Sequence, residues 1–408
     1  MTEETRVSTY YGVFFLTIGA VMPFIAIWLD SLGISTNMSG VILAAPPLAI
    51  VFFNIIIGSW ADRLSDWRSA IIGCNALVLL LCMGLIFWQN QWAILVIWAL
   101  SGLFMMSSAP IADAATLNMT ARRGSDYARI RALGSVGFIF GILFAGQLFD
   151  AFGMRWFVGV LVVCAVARVV AAVFLPNFRD PNLLSEQAQT KNENVQSASA
   201  TTQSKLPLFS GLMSGMALFR QPGIFSVILG ASLINASHSF NNIYSVFHWT
   251  QHGISTFLAS LLWAVGVVAE VFLMWGFAQF SKRISARHCL LAASAACTLR
   301  WFFTGTNPGL APLLFLQGLH AITFGLTFLA SVNFIAKRVD AQHAAQAQSV
   351  LATLTILLMA IGTWLSGQFY DALGGYSYWA MAVIAVMGGL CILNSYRTQL
   401  EDKVATPP

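Results

Sequence analysis

The octapeptide GQLFDAFG, residues 146–153, returns as GQFYDALG at residues 367–374, 221 positions later. Five of the eight positions are identical and the other three stay large. Each copy closes a long apolar run, so the repeat raises the question of whether the chain is built from two related halves. The surrounding composition answers it. Of 408 residues, 58% are hydrophobic and only 9% charged, whereas soluble domains carry about one-quarter charged residues. Apolar runs of about 20 residues, each able to cross a hydrocarbon core at 1.5 Å per residue, can be counted along the chain. There are twelve, at about 7–29, 39–61, 69–88, 92–117, 127–149, 155–175, 223–247, 256–279, 287–305, 309–335, 345–368 and 376–396. Lipid offers no partner to backbone N–H and C=O groups, so runs of this length are expected to be helices. The first run has a long apolar core and no small-residue cleavage site, and is read as a span and not as a cleavable signal.

Between the sixth and seventh runs the composition changes sharply. SEQAQTKNENVQSASATTQSK is rich in Ser, Gln, Asn, Thr and Ala and cannot bury a core. The expected organisation is therefore an all-α polytopic membrane protein: six helices in residues 1–175, a cytoplasmic linker at 176–222, and six helices in 223–408. The two octapeptides then end the fifth span of each half. Gly153 and Gly374 are expected to stop those helices in the left-handed conformation, with Asp150 and Asp371 as structural polar groups at the interface.

Charge is distributed by loop. Arg63 and Arg68, then Arg122, Arg123 and Arg129, then Arg179, Lys191, Lys205 and Arg220, then Lys282, Arg283 and Arg287, then Lys337 and Arg338 fall in alternate loops. The intervening loops, such as LDSLGISTNMS and TQHGISTF, have no Lys or Arg except for Arg155, a lone charge too weak to reverse the pattern. The positive-inside rule places both termini and the linker in the cytoplasm. This distribution, and not a nucleic-acid partner, accounts for the net charge of +5. The six cysteines all lie in expected spans without metal-ligand spacing and read as small core residues. No nucleophile elbow, phosphate-binding glycine loop or zinc spacing appears, so an enzyme is not expected, and no cofactor is implied. Without a nucleotide domain, the energy source for transport would be an ion gradient.

A charge inside a membrane helix costs roughly 2.5 to 3.5 kcal/mol on insertion scales, so each one asks for a reason. Asp113 in span four and Arg131 at the start of span five fall at similar depth and can pair. Glu270, Arg300 and His320 each fall near the middle of spans eight, nine and ten. A carboxylate, a permanent guanidinium fork and a titratable imidazole at midplane can bind a polar solute and exchange a proton. The bland reading of the same trio is a buried network that fixes helix packing. Arg168 in span six either snorkels or pairs with another helix. ASHSFNNIYSVFHW in span seven supplies His238, Asn241, Asn242, Tyr244 and His248, which with Tyr10, Tyr11 and Phe15 suit an aromatic-compatible pocket. In GSVGFIFGILFAG, Gly137 and Gly141 permit close helix contact.

Six-plus-six architecture with a cytoplasmic linker resembles the major facilitator superfamily, whose parallel repeats hold solute between the halves near midplane. GSWADRLSDWR, residues 58–68, resembles that superfamily's signature loop, with Asp62 and Arg63 at its acidic and basic positions. It departs at Asp66 and Trp67, where the family shows glycine and a basic residue. The resemblance implies a gating or conformational role for Asp62 and Arg63. APIADAATL, DYARIRALGSVGF, VGVVAEVF, TLRWFFTG and LQGLHAITFG, around Asp113, Arg131, Glu270, Arg300 and His320, resemble segments of phenylpropionate permeases and, more distantly, of lactose-type oligosaccharide:proton symporters. That resemblance implies solute binding by Asp113, Arg131 and Arg300 and proton coupling by Glu270 and His320; Asn241 is added from the pocket reading. Where the lactose type has a second carboxylate and a lysine, this chain has Thr323 and Gln317, which favours the phenylpropionate-type reading. The expected function is a proton-coupled symporter in the inner membrane, importing a small organic solute such as an aromatic carboxylate and acting as a monomer. A sugar or nucleoside symporter, a proton-driven efflux antiporter and a non-transporting solute receptor are the alternatives.

Overall fold

Helix caps decide where the spans begin. Ser35, Asp66, Asn90, Asp126, Ser255 and Ser285 each accept a hydrogen bond from a backbone N–H of the first turn that follows, satisfying donors that the helix itself leaves open. The computed structural model describes residues 1–179, 223–281 and 283–405, so all but the first few residues of the expected linker, with Lys191, Lys205, Arg220 and also Lys282, lie outside the described residues. The described residues are helical, without strands. In order they form α1 (Glu3–Val21), α2 (Ile25–Ser31), α3 (Thr36–Arg63), α4 (Trp67–Gly84), α5 (Gln91–Arg123), α6 (Tyr127–Phe152), α7 (Phe157–Val173), α8 (Ile224–Ala236), α9 (Ser239–Gln251), α10 (Thr256–Phe280), α11 (Ala286–Thr304), α12 (Leu310–Gly318), α13 (Thr327–Arg338), α14 (Ala341–Leu373) and α15 (Ser377–Ala405).

Each of the twelve expected spans coincides with one helix or one broken run. Span one is α1 plus α2, bent by 43°; span seven is α8 plus α9; span ten is α12, a π-helical turn at Ala321–Leu326, and α13. Among the described residues eight stretches are long and apolar enough to cross a membrane, or nine if α1 and α2 count as one. The number falls short of twelve for physical reasons. The helices α14 and α15 run on as one 55-residue stretch, α8 and α9 are each 13 residues long, and α11 carries Arg287, His288 and Arg300. Outward-facing side chains are large and apolar, as at Phe52, Phe87 and Trp275, 70 to 74% exposed, which suits a lipid-facing surface.

Within the first half, α1 lies against α6 through small residues. A Cβ on Gly137 would come within 3.0 Å of the Gly12 Cα, and one on Gly141 within 3.0 Å of the Leu16 Cα, as the spacing of those glycines predicts. Arg168 does not snorkel. It is 1% exposed, its Nε donates to Asn75 Oδ1 at 2.9 Å and its Nη2 reaches the same oxygen. Asn75 in turn donates to the Tyr10 hydroxyl at 3.2 Å, and Tyr10 reaches Ser108 at 3.5 Å. This chain ties α7, α4, α1 and α5 together, and the Phe14 ring lies 5.5 Å from the guanidinium carbon.

The two halves meet at the end of the bundle whose turns carry Arg155 as their single Lys or Arg, here termed the neutral end. One hydrophobic core runs through both halves there, from Phe24 and Phe149 to Tyr244, Ala259 and Tyr378. Toward the basic end it divides: one cluster, including Val7, Tyr10 and Met119, belongs to the first half alone, and another, including Ile224, Phe334 and Ile392, to the second. The repeated octapeptides form the seam. A Cβ on Gly40 of α3 would stand 2.8 Å from the Gly367 Cα of α14, and one on Gly146 of α6 would stand 2.6 Å from the Ser260 Cβ of α10. Thr256 N donates to Asp150 Oδ1 at 2.9 Å, Gln368 Nε2 to the Asn37 carbonyl at 2.9 Å, and the Tyr244 hydroxyl to the Thr36 carbonyl at 3.5 Å. Every hydrogen bond between described residues of opposite halves is at this end. The surfaces that receive the octapeptides are themselves repeated: GIST at residues 33–36 opens α3, and GIST at 253–256 opens α10, each with its serine as the cap. Gly153 and Gly374 stop their helices at positive φ, +79° and +49°. Their ψ values of 170° and −124° lie outside the left-handed helical region expected from sequence, in conformations that only glycine adopts easily.

Two outcomes test these contacts. Gly367→Val forces α14 away from α3, so a thiol placed at Ser260 should react with a membrane-impermeant maleimide several-fold faster than in the unsubstituted seam; an unchanged rate would show that closure does not depend on this contact. Asn75→Leu strands the Arg168 cation in an apolar site, a loss of about 3 kcal/mol, and should lower the melting temperature in detergent by several degrees, whereas Asn75→Asp should not.

Candidate functional site

In the second half, α10, α11 and the broken tenth span converge on Arg300. Its side chain is fully buried at 0% exposure, yet none of its partners is an anion. Nη1 donates to Thr323 Oγ1 at 2.8 Å and to His320 Nδ1 at 3.2 Å, and Nη2 donates to Gln317 Oε1 at 2.8 Å. The Trp301 ring lies 4.4 Å from the guanidinium carbon. Nε of Arg300 and Nε2 of Gln317 are buried donors without an acceptor. No carboxylate among the described residues lies in ion-pair range of Arg300.

The same contacts set the tautomer of His320. A guanidinium only donates, so Nδ1 accepts and the ring proton sits on Nε2. That nitrogen faces Glu270 Oε2 at 3.9 Å, too long for a hydrogen bond. The Glu270 side chain is 17% exposed and that of His320 9%. Two glycines let the elements approach: a Cβ on Gly266 would stand 3.2 Å from the His320 Cβ, and one on Gly325 would stand 3.0 Å from the Glu270 Cγ.

Immediately after His320 the helix widens into the π turn Ala321–Leu326, a distortion often found at functional sites. The Thr323 carbonyl there receives side-chain donors, Thr327 Oγ1 at 2.7 Å and Cys297 Sγ at 3.7 Å. The turn brings the Thr323 hydroxyl to Arg300. Thus the two positions at which the sequence departs from the lactose type, Gln317 and Thr323, are the direct partners of the buried cation.

The first-half pair forms as expected from depth. Asp113 Oδ1 accepts from Tyr11 at 2.6 Å and from Tyr127 at 2.9 Å, and lies 3.3 Å from Arg131 Nε. Arg131 lies over the Phe15 ring at 4.6 Å and the Tyr11 ring at 5.2 Å. Both side chains keep about a third of their surface exposed, 35% for Arg131 and 30% for Asp113. Seven residues beyond Arg131, about two helical turns, Phe138 meets Trp263, which stands seven residues before Glu270. Their ring centroids are 6.4 Å apart across the two halves, and Trp263 is also 6.4 Å from the His320 ring. Trp263 is fixed by its Nε1 donating to Ser245 Oγ at 2.9 Å. His320 stacks on Phe324 at 5.1 Å. A solute in this region would have polar groups from both halves and an aromatic ceiling.

Asn241 is not brought to Arg300. It is buried and meets the Tyr378 hydroxyl at 3.5 Å, and Tyr378 stacks on Trp301, so an aromatic layer links it to the site. Asp62 is 71% exposed at the basic end, 3.6 Å from Arg179 Nη2 and accepting from Trp67 Nε1 at 3.2 Å; Arg63 is exposed beside it. Neither forms a hydrogen bond or ion pair with a described residue of the second half. The stronger anchor is Asp66, which caps α4 and accepts from the backbone N–H of Phe178 at 2.9 Å and of Arg179 at 2.8 Å. Arg179 lies over the Trp67 ring at 4.3 Å. The residues that depart from the signature loop therefore dock the segment that follows span six. Among the described residues no group of three metal-ligating side chains converges.

Comparison with known proteins gives the same architecture. The chain is 27% identical over 381 residues to a probable 3-phenylpropionic acid transporter of Escherichia coli (strain K12), covering 92% of this chain and 93% of that protein. It is 22% identical over 400 residues to the maltose permease of Geobacillus stearothermophilus, covering 96% and 92%. Among solved structures, the nucleoside transporter NupG superposes with a TM-score of 0.73 at 18% identity, covering 97% of this chain and all of that one. A bacterial homologue of the human lysosomal transporter Spinster, in an inward-facing and unoccupied conformation, gives 0.74 at 15% identity, covering 98% and 97%. These structural likenesses show the fold, and the relatives are transporters and not enzymes. A family model described as the MFS_1 like family matches residues 4–381, and the chain belongs to that family of multi-pass membrane transporters of the major facilitator type.

Proposed function

We propose that this transporter is a proton-coupled symporter that imports a small aromatic or related carboxylate by alternating access of its two halves. The carrying observation is Arg300, a wholly buried cation held by neutral groups, with donors left over. A solute carboxylate supplies the missing anion, and the planar fork suits it. The aromatic ceiling of Trp263, Phe138 and Phe324 suits an aryl ring. The printed name of the Escherichia coli relative, at 27% identity, supports the same solute class.

Coupling follows from charge. Empty, the site holds the Arg300 cation and the Glu270 carboxylate, which sum to zero. With solute bound to Arg300 and a proton on Glu270, the sum is again zero. With only one of the two bound, the site carries a net charge, worth roughly 2.5 to 3.5 kcal/mol inside a membrane protein, or about a hundredfold in the population able to cross. Solute and proton therefore move together. His320 faces Glu270 with Nε2 at 3.9 Å and accepts from Arg300 at Nδ1, so the imidazole lies between the two ligand sites. In this reading the basic end is cytoplasmic, the seam at the neutral end closes the outer side of the inner membrane, both termini and the linker are cytoplasmic, and one chain is the working unit.

Proteoliposomes with phenylpropionate as the probe test it. An inward proton gradient should drive accumulation, and loss of solute under the same gradient would support export instead. Glu270→Gln should abolish uphill accumulation while sparing solute exchange; undiminished accumulation in that variant would remove Glu270 from the proton path. Arg300→Lys should raise KM at least tenfold by losing the fork geometry. Trp263→Ala should raise KM for phenylpropionate about tenfold, the value of roughly 1.4 kcal/mol for an aromatic contact, and leave KM for an unbranched aliphatic acid unchanged.

A further inference from the structure

We infer that Thr323 and His238 form a hydroxyl–imidazole relay joining Arg300 to the break in span seven, and through it to the seam at the neutral end. The inference rests on the reading of Arg300 as the solute-binding cation, but the relay itself stands on hydrogen bonds.

The break lies between α8 and α9, at Ser237 and His238. In a continuous helix the Ile234 carbonyl would accept from the N–H of His238. Here that N–H turns instead to the Asn235 carbonyl at 3.0 Å. The vacated carbonyl is taken by side chains, Ser237 Oγ at 2.7 Å and His238 Nδ1 at 3.1 Å, with the Asn235 carbonyl also 3.2 Å from Nδ1. Two carbonyls can only accept, so Nδ1 carries the proton. The neutral ring then has an acceptor at Nε2, and the group facing it is Thr323 Oγ1 at 3.1 Å. Thr323 has one hydroxyl proton to give. Its oxygen already accepts from Arg300 Nη1 at 2.8 Å, so the order of donation runs from Arg300 to Thr323, from Thr323 to His238, and from His238 to the freed carbonyl of the broken helix.

A second acceptor makes the relay a switch. The Thr323 hydroxyl also lies 3.4 Å from the His320 carbonyl, a longer bond than the one to His238. While Arg300 holds Thr323, the hydroxyl faces His238 and the break is tied down. When Nη1 is drawn onto a solute anion, the hydroxyl is free to turn to the His320 carbonyl, and His238 loses its partner. The helix beyond the break, α9, carries Tyr244, whose hydroxyl reaches the Thr36 carbonyl of the other half at 3.5 Å. Occupancy of the site is thereby felt at the seam. Both His238 and Thr323 are fully buried at 0% exposure, and His238 is boxed by Trp301 at 5.0 Å, Phe324 at 5.5 Å and His320 at 5.8 Å, so water does not substitute for the missing partner. Thr323 and His238 are positioning residues in this scheme. Their bonds run to Arg300 and the backbone.

The test needs no solute. Ser260→Cys, under Gly146 at the seam, reports opening through its rate of reaction with a membrane-impermeant maleimide in right-side-out vesicles, with the chain lacking that substitution as background. Thr323→Val removes the hydroxyl at constant shape, and His238→Asn keeps a donor for the Ile234 carbonyl while deleting the Nε2 acceptor. Each should raise the reaction rate about fivefold, and the two together should give the same fivefold, because both cut one path. Thr323→Ser should stay within twofold of the parent. A Thr323→Val rate equal to the parent, or effects that multiply to about twenty-fivefold, would overturn the relay. Failure of the parent to take up phenylpropionate would bear on the solute assignment alone, since the double-variant comparison is made on the empty protein.

Discussion

The structure turns on a charge that the fold buries without an opposite charge. A guanidinium removed from water is costly unless it is paired and fully bonded, and Arg300 is given only a hydroxyl, an amide oxygen and an imidazole nitrogen. Much of the local architecture serves that arrangement. The π turn after His320 exists where Thr323 must reach inward, Gly266 lets the tenth span come close enough to α10 for His320 to face Glu270, and Trp301 covers the cation with a ring face. Arg168, nearly as buried and likewise without an anion, is held by the Asn75 oxygen within the first-half bundle. The two arginines are thus held differently, Arg168 by one amide oxygen inside its own bundle and Arg300 by three neutral acceptors beside Glu270, with its Nε left without an acceptor.

Much of this was legible in the amino-acid order because insertion into lipid punishes charges and rewards apolar length. The spans, the six-plus-six organisation and the meeting of Glu270, Arg300 and His320 follow from that one constraint. The approach of α1 to α6 was likewise written in Gly137 and Gly141. What stayed hidden depends on tertiary partners. Nothing in LQGLHAITFG marks a π turn, since the carbonyl it frees is satisfied by Thr327 and Cys297, the latter from another helix. The break at His238 carries no proline or glycine, because its own imidazole takes up the carbonyl that the helix abandons. Gln317 and Thr323 read as losses relative to a relative's pattern, and only their bonds to Arg300 show them as partners. Asp66 and Trp67, likewise departures, turn out to hold Arg179 and the start of the segment after span six. Asn241 was read from sequence as a lining residue of an aromatic-compatible pocket, and the aromatic pair of Trp301 and Tyr378 links it to Arg300 only indirectly.

The seam shows how the division of the core bears on motion. A single apolar cluster spans both halves at the neutral end, and two separate ones fill the basic end. Glycines at the crossing points bring backbones together without interlocking side chains, so the halves can part by small rigid rotations that leave each basic-end cluster intact. The polar bonds across the seam are few and sit at helix starts, where Asp150 meets the positive end of α10 and Gln368 meets the start of α3.

The internal repeats give the seam a further meaning. Each half carries both members of the contact, a GIST helix start and a GQxxDAxG helix end, and each gives its helix end to the other's helix start. That reciprocity is the signature of an isologous interface, one patch meeting its own copy about a two-fold axis. A lone six-helix unit with this sequence would be self-complementary in the same way. The present molecule therefore has the form of a fused homodimer, with Glu270, Arg300 and His320 on one side only, an asymmetry that two identical chains could not hold.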